Sequence, residues 1–190
     1  MARTFRNQVE EEILDRVAGE FAQHGFEHTS LKALADAVGL SKAGLLHHYP
    51  SKDALFQAAR ELGAVQSRRV LDQVAGLPLG VARDRRVLEL LTDVALDRPG
   101  LVALLFRAVT APEDPASHSD ALLLPELFGV DLEARSERAI RVVGALSAMA
   151  VLTLAANRAG EKTTWRPHII ATCLDTLGHP RPLHDDQVEG

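Results

Sequence analysis

The sequence contains few of the residue types that mark secreted, metal-bound or strongly charged proteins. Cys173 is its single cysteine, which excludes an internal disulfide framework and any cysteine-rich zinc or iron–sulfur site. The 21 Lys and Arg residues nearly balance 26 Asp and Glu residues, so the net charge of −5 favours neither a nucleic-acid coat nor a basic membrane-surface protein. These features are typical of proteins in the reducing interior of a cell, so we expect a cytoplasmic protein.

Long hydrophobic runs are also missing. The first residues lead directly into the acidic triplet at 10–12 rather than into an apolar segment, so no export signal is predicted. The longest apolar stretch, residues 144–156, contains Ser147 and Thr153 and is shorter than the ~20 residues that a spanning helix needs. We interpret it as a core or interface helix and expect no membrane partner.

Alternating β patterns of useful length are absent, whereas apolar residues recur at helical intervals along the chain. The sequence therefore predicts an all-α protein. Its expected parts are an N-terminal three-helix helix-turn-helix domain (1–50), a C-terminal helical bundle for effector binding and dimerisation (51–178) and a flexible tail (179–190). The helices expected beyond the third are at 51–75, 79–97, 99–110, 121–128, 132–159 and 165–177.

Two short helices are predicted between residues 29 and 50. Thr29 and Ser30 can cap the first, which Gly39 ends, and Ser41 can cap the second, which Pro50 stops. Helices of about eight residues are unstable alone. Joined by a turn of roughly three residues, they predict a helix-turn-helix packed on the first helix.

The same segment carries a specific motif, which reads TSLKALA at residues 29–35 and VGLSKAGLLHHYPSKDALF at 38–56. This motif closely resembles the tetracycline-repressor (TetR) family of bacterial regulators, while the rest of the chain is similar only in helical layout. The resemblance implies that Tyr49 is a core aromatic. It also implies DNA-facing positions at Ser41, Lys42, Ala43, Gly44, Leu46, His47, His48 and Lys52.

Physical reasoning on the same residues predicts a DNA-binding face. Small residues near Lys42 would let the second short helix approach base edges in a major groove about 12 Å wide. The starts of the helices can hold phosphates with backbone N–H groups. The expected phosphate contacts are Thr29, Ser30, Lys32, Ser41 and Lys52. Leu46 stands where many family members have an aromatic ring, so the operator sequence is not predictable.

A metal site at His47 and His48 is a weaker alternative. Adjacent residues point about 100° apart on a helix, and no Cys, Asp or Glu accompanies this pair at ligand spacing. We therefore expect no metal and no cofactor. No catalytic triad or nucleophile elbow surrounds any serine, so we expect no enzymatic activity.

Residues 132–159 and 165–177 are predicted to form the dimer. The first of these helices is apolar on several sides, and the second carries Ile169, Ile170, Cys173, Leu174 and Leu177. The simplest partner is a second copy, which would complete a twofold four-helix bundle.

A small, mainly apolar effector is expected among the helices between residues 51 and 128, with the later turns of the fourth helix near Val70 and Val74 lining the pocket. Arg107 is a candidate anchor for a carboxylate, although its helix face favours a solvated side chain. The candidate effector-binding residues are Leu88, Leu91, Leu105, Arg107 and Leu122.

The sequence thus predicts a ligand-responsive regulator, a repressor that a small effector releases from palindromic double-stranded DNA. The alternative is a helical small-molecule-binding protein without DNA function. An enzyme ranks third, because no constellation of residues supports catalysis.

Overall fold

The computed structural model describes residues 2–110, 123–131, 134 and 136–179, and those residues contain helices and no strands. The helices are α1 (Ala2–His24), α2 (Leu31–Val38), α3 (Lys42–His48), α4 (Lys52–Val74), α5 (Val81–Asp97), α6 (Pro99–Thr110), α7 (Leu124–Phe128), α8 (Glu137–Ala159) and α9 (Lys162–Leu177). The predicted all-α fold is confirmed.

Serine side chains define the starts of four helices. The hydroxyl oxygens of Ser30, Ser41, Ser51 and Ser136 each accept a hydrogen bond from the backbone N–H three residues later. The cap at Ser136 explains why α8 begins at Glu137 rather than at residue 132. Helix α9 begins three residues earlier than expected. Within the predicted helix at 121–128, the structure has the five-residue α7, which begins at Leu124. Residues 121 and 122 lie outside the described residues.

The N-terminal core joins α1 to the three helices that follow it. Val17 and Phe21 of α1 pack with Leu34 of α2, Leu45 of α3 and Leu55 of α4. The ring of Phe56 meets that of Phe21 edge-on at 5.1 Å. Because α2 and α3 each bury few side chains of their own, α1 and α4 hold them in place.

The C-terminal core corrects the predicted role of the apolar face of α9. Its apolar residues Ile169, Ile170, Cys173, Leu174 and Leu177 are buried against α5 and α8 of the same chain, so they are unavailable to a second copy. The outward apolar surface belongs instead to α8. There Ile140, Val143 and Val151 expose 66%, 38% and 54% of their surfaces.

Helix α8 is longer than the apolar stretch that the sequence analysis identified at residues 144–156. It has 23 residues, and by length and composition alone it would be able to cross a membrane. A packed core helix passes the same test, and α8 contacts α5, α6 and α9. Its small residues permit this packing, since Gly144 lies close to the Thr176 side chain.

Candidate nucleic-acid interface and ligand cavity

The turn between α2 and α3 has the geometry that a helix-turn-helix requires. Gly39 adopts φ +74°, a left-handed conformation that suits glycine. Its N–H donates to the carbonyl of Asp36 at 3.2 Å, and the N–H of Leu40 donates to that of Ala35 at 2.9 Å. Ser41 then starts α3 by accepting a hydrogen bond from Gly44 N–H at 3.0 Å. Only three residues separate the two helices.

Helix α3 presents a polar outer face. Leu45 is fully buried beneath it, and its small residues Ala43 and Gly44 lie in the first turn. The residues that it exposes are Lys42, Ala43, His47 and His48, while Gly44 and Leu46 are half-buried. The rings of His47 and His48 meet edge to face with centroids 5.4 Å apart. Among the residues that the structure describes, no group of three potential metal ligands occurs.

Tyr49 links the end of α3 to α1. Its hydroxyl donates to Glu10 Oε1 at 3.3 Å, and its ring packs against the N-terminal core. Burial, followed by the negative charge and hydrogen bond of Glu10, raises the pKa of Tyr49 to about 12. The phenol therefore stays neutral and holds α3 against α1 at physiological pH.

A second candidate site is a cavity of about 120 Å³ between α4, α5, α6 and α8. Its polar lining side chains are Gln66 and Ser67 of α4 and Ser147 of α8. None of the described residues that line it carries a charge. The apolar lining residues include Leu91, Val94, Leu101, Val102, Leu105, Phe106, Val143, Leu146 and Met149.

Comparisons with known proteins agree with the helix-turn-helix geometry. Residues 13–59 match the family model described as bacterial regulatory proteins, tetR family. The HTH-type transcriptional repressor Rv1474c of Mycobacterium tuberculosis is 38% identical over 78 residues, which cover 38% of each chain. This chain therefore carries an N-terminal domain of the tetR family of bacterial regulatory proteins.

Other relatives also match mainly the N-terminal part of this chain. The HTH-type transcriptional regulator RutR of Escherichia coli K12 is 44% identical over 46 residues, which cover 24% of this chain and 22% of RutR. The match therefore spans well under half the length of these curated relatives. A TetR-like transcriptional regulator from Rhodococcus sp. RHA1 shares the fold, with a TM-score of 0.54 at 21% identity over 90% of this chain and 97% of that chain.

Two residues expected at the DNA face of this TetR-family domain have other partners. The buried hydroxyl of Thr29 donates to the Gly25 carbonyl at 2.6 Å, so it stabilises the corner after α1 and is not exposed at the surface. The Lys52 ammonium donates to the Phe26 carbonyl at 2.8 Å and lies 4.4 Å from the centre of the Phe26 ring. Lys52 therefore holds α4 to the same corner.

The remaining expected phosphate contacts, Ser30, Lys32 and Ser41, are exposed at the starts of α2 and α3. Ser30 accepts a hydrogen bond from Ala33 N–H at 3.1 Å, which leaves its hydroxyl hydrogen available to a phosphate oxygen. Ser30 and Lys32 lie at the start of α2, and Ser41 lies at the start of α3, the helix that follows it in the chain.

The expected effector-binding residues do not all lie together in the structure. Leu91 and Leu105 line the cavity, whereas Leu88 is buried in the C-terminal core. Arg107 donates to the Ala22 carbonyl at 3.3 Å, so it contacts the end of α1 and does not line the cavity. Leu122 lies outside the described residues.

The part of α4 that lines the cavity is also different from the expected one. Gly63, Gln66 and Ser67 line it, whereas Val70 and Val74 belong to the core. The sequence analysis did not predict that α8 lines the cavity, because it assigned that helix to the dimer alone. The small residues Ser147 and Ala150 were the available signal, since they leave space beside a neighbouring helix.

Proposed function

We propose that this protein is a cytoplasmic, ligand-responsive transcriptional regulator that acts as a repressor on double-stranded operator DNA. The observation that carries this proposal is the α2–α3 unit, whose tight turn, capped helix starts and exposed outer face lie within the TetR-family match. The relatives named above are transcriptional regulators and not enzymes. The alternative of a binding protein without DNA function is less well supported.

Helix α3 is suited to the major groove. Its exposed Lys42 and the small residues Ala43 and Gly44 leave room for close approach to base edges. Ser30, Lys32 and Ser41 are exposed at the starts of α2 and α3 and can contact phosphates that border the groove. His47 and His48 are also exposed and extend the same face by one turn.

A homodimer accounts for the exposed apolar residues of α8. Ile140, Val143 and Val151 recur at spacings that place them on one side of the helix, and regulators of this family form dimers. A twofold dimer would set two recognition helices about one turn of DNA apart, ~34–36 Å, and so would bind a pseudo-palindrome. The interface proposed is α8 together with the outer face of α9.

The cavity is suited to an uncharged, mainly apolar effector. Burying a charge without a partner is costly, and the described lining residues provide none. Gln66, Ser67 and Ser147 can satisfy one or two polar groups on such a molecule. Release from DNA requires only that the effector favours a conformation in which the two α3 helices no longer match both half-sites.

DNA binding is tested with a duplex that the protein itself selects from a random library. Fluorescence anisotropy over a range of salt concentrations should show affinity that falls with salt. Lys32→Ala should weaken binding to every duplex and lower the salt slope by about one. Lys162→Ala, which removes an exposed lysine at the start of α9, is the matched control. Failure to select any duplex would contradict the proposed function.

A further inference from the structure

A groove that carries charged side chains lies between α4 and α5. Its volume is about 280 Å³, and Glu11 of α1 and Arg98, which follows α5, also line it. Val70, Leu90 and Val94 supply its apolar lining. Val94 also lines the uncharged cavity described above, so the two sites adjoin. The groove differs from the cavity because its lining has charges of both signs.

The α5 side of the groove has two carboxylates one helical turn apart. Asp93 Oδ2 accepts a hydrogen bond from Arg166 Nη2 of α9 at 2.9 Å, so the charge of Asp93 is balanced. Asp97 is exposed, and among the described residues no side chain pairs with its carboxylate. This unpaired carboxylate favours a cationic group on a molecule that occupies the groove.

Two guanidinium groups share a single carboxylate where the groove meets α1. Arg98 Nη2 lies 3.0 Å from Glu11 Oε2, and Arg69 Nη1 of α4 lies 3.7 Å from Glu11 Oε1. One carboxylate cannot neutralise both positive charges. The Nε of Arg98 is also buried without an acceptor in the described part of the chain, which is unfavourable for a donor. An anionic group in the groove can pair with Arg69 and act as the missing acceptor.

These charges disfavour a ligand of a single sign. An anion would be repelled by Asp97, whereas a cation would be repelled by Arg69 and Arg98. Asp97 and Arg98 are neighbours in the chain and both line the groove, so the two opposite charges of a matching ligand must lie close together. An α-amino acid has this arrangement, since its ammonium and carboxylate groups are attached to the same carbon atom.

The size and the apolar lining of the groove restrict the ligand further. Small-molecule sites commonly have volumes of about 300–1,000 Å³, so a groove of about 280 Å³ suits a single amino acid better than a larger molecule. Val70, Leu90 and Val94 can contact an apolar side chain and remove it from water.

We propose that the groove between α4 and α5 binds a free α-amino acid with an apolar side chain. Its carboxylate pairs with Arg69 and Arg98, and its ammonium group pairs with Asp97. This site is additional to the proposed function, because neither DNA nor the occupant of the uncharged cavity takes part in it. The bound amino acid contacts α4 and α5 together only in the folded protein, so it should raise the thermal midpoint of unfolding.

Binding is measured by isothermal titration calorimetry on the full chain without DNA. L-leucine is the first probe, followed by L-valine, L-isoleucine, L-methionine and L-phenylalanine. At least one of them should bind with a Kd below about 1 mM and raise the thermal midpoint.

Analogues that lack one charge test whether the ligand must be a zwitterion. For L-leucine these are isocaproate, which lacks the ammonium group, and isoamylamine, which lacks the carboxylate. Each should bind at least about tenfold more weakly than L-leucine, because it leaves Asp97 or the two arginines without a partner. The corresponding acid and amine are used where another amino acid binds more tightly.

Arg69→Gln and Asp97→Asn each remove one charge from the groove and should weaken binding of the amino acid at least about tenfold. Arg68→Gln and Asp72→Asn are the matched controls, since these α4 residues do not line the groove, and they should leave the affinity unchanged. All four residues are exposed, so the variants should fold, and circular dichroism checks that they do.

The outcomes separate this site from other binding sites and from the proposed function. Absence of binding by all the amino acids named above overturns the inference. Binding that Arg69→Gln and Asp97→Asn leave unchanged also overturns it, because the amino acid then lies elsewhere. Equal affinity for the amino acid and either analogue contradicts the zwitterionic ligand. A protein that binds the amino acid but selects no DNA duplex would contradict the proposed function and leave this inference standing.

Discussion

Asp84 is fully buried, and both of its carboxylate oxygens accept hydrogen bonds from Arg138 Nη2, at 2.8 and 2.9 Å. His179 Nε2 lies 2.6 Å from Asp84 Oδ2. Arg138 also donates to the carbonyl of Phe128 at 3.1 Å. The first turn of α5 is thereby tied to the end of α7, the start of α8 and the residues after α9.

Arg138→Met should destabilise the protein strongly, because it leaves the buried Asp84 carboxylate without its main partner. The expected loss in free energy of unfolding is about 3 kcal/mol. Urea unfolding followed by circular dichroism measures this loss. Arg166→Met is a matched control, since Arg166 pairs with an exposed Asp93 and should cost at most about 1 kcal/mol. Equal losses in the two variants would contradict a special role for the buried pair.

Lys42→Ala and Lys52→Ala should have different effects. Lys42 is exposed on α3, so its removal should weaken DNA binding and change sequence preference while leaving the thermal midpoint nearly unchanged. Lys52 contacts the carbonyl and ring of Phe26, so its removal should lower the thermal midpoint of the folded protein. Anisotropy and thermal unfolding distinguish the two. A lower salt slope with full stability in Lys52→Ala would show that Lys52 contacts a phosphate instead.

Tyr49 should ionise at unusually high pH. It is the only tyrosine, so the change in near-ultraviolet absorbance that accompanies phenolate formation reports its ionisation alone. The folded-state midpoint should lie near 12, against ~10 in denaturant. Because the folded pKa is the higher one, the stability contributed by Tyr49 is complete below pH ~10 and is lost as pH rises towards about 12.

Glu10 is the group that can be varied to test this assignment. Glu10→Gln should lower the Tyr49 midpoint, since it removes a negative charge that disfavours the phenolate. Glu12→Gln changes an exposed carboxylate on the same helix and should leave the midpoint unaltered. An identical shift in both variants would mean that overall charge, and not the hydrogen bond to Glu10, controls the titration.

Cys173 should be unreactive in the folded protein. Its thiol is fully buried and contacts the carbonyl of Ala145 at 3.3 Å, and burial raises its pKa to about 12. A disulfide reagent should modify the native protein only as fast as it unfolds and should titrate one thiol at once in denaturant. Rapid modification under native conditions would show that α8 and α9 separate locally.

Interactions between residues that are close in sequence made the helix-turn-helix predictable from the sequence. The caps at Ser30, Ser41 and Ser51 and the left-handed turn at Gly39 depend on residues within about four positions. The same short-range pattern carries the family motif. All-α architecture followed in the same way, because helical periodicity is a property of neighbouring residues.

Only the tertiary structure decided the partners of side chains that reach across the chain. Thr29 has a short polar side chain that suits a cap or a phosphate contact, yet the corner at Gly25 buries it. Arg107 points to the end of α1, and Leu174 packs inside its own protomer. Periodicity shows that a residue lies on an apolar or polar face, but it does not show which helix covers that face. Docking between distant helices makes that choice, and it placed Arg98 against Glu11 of α1.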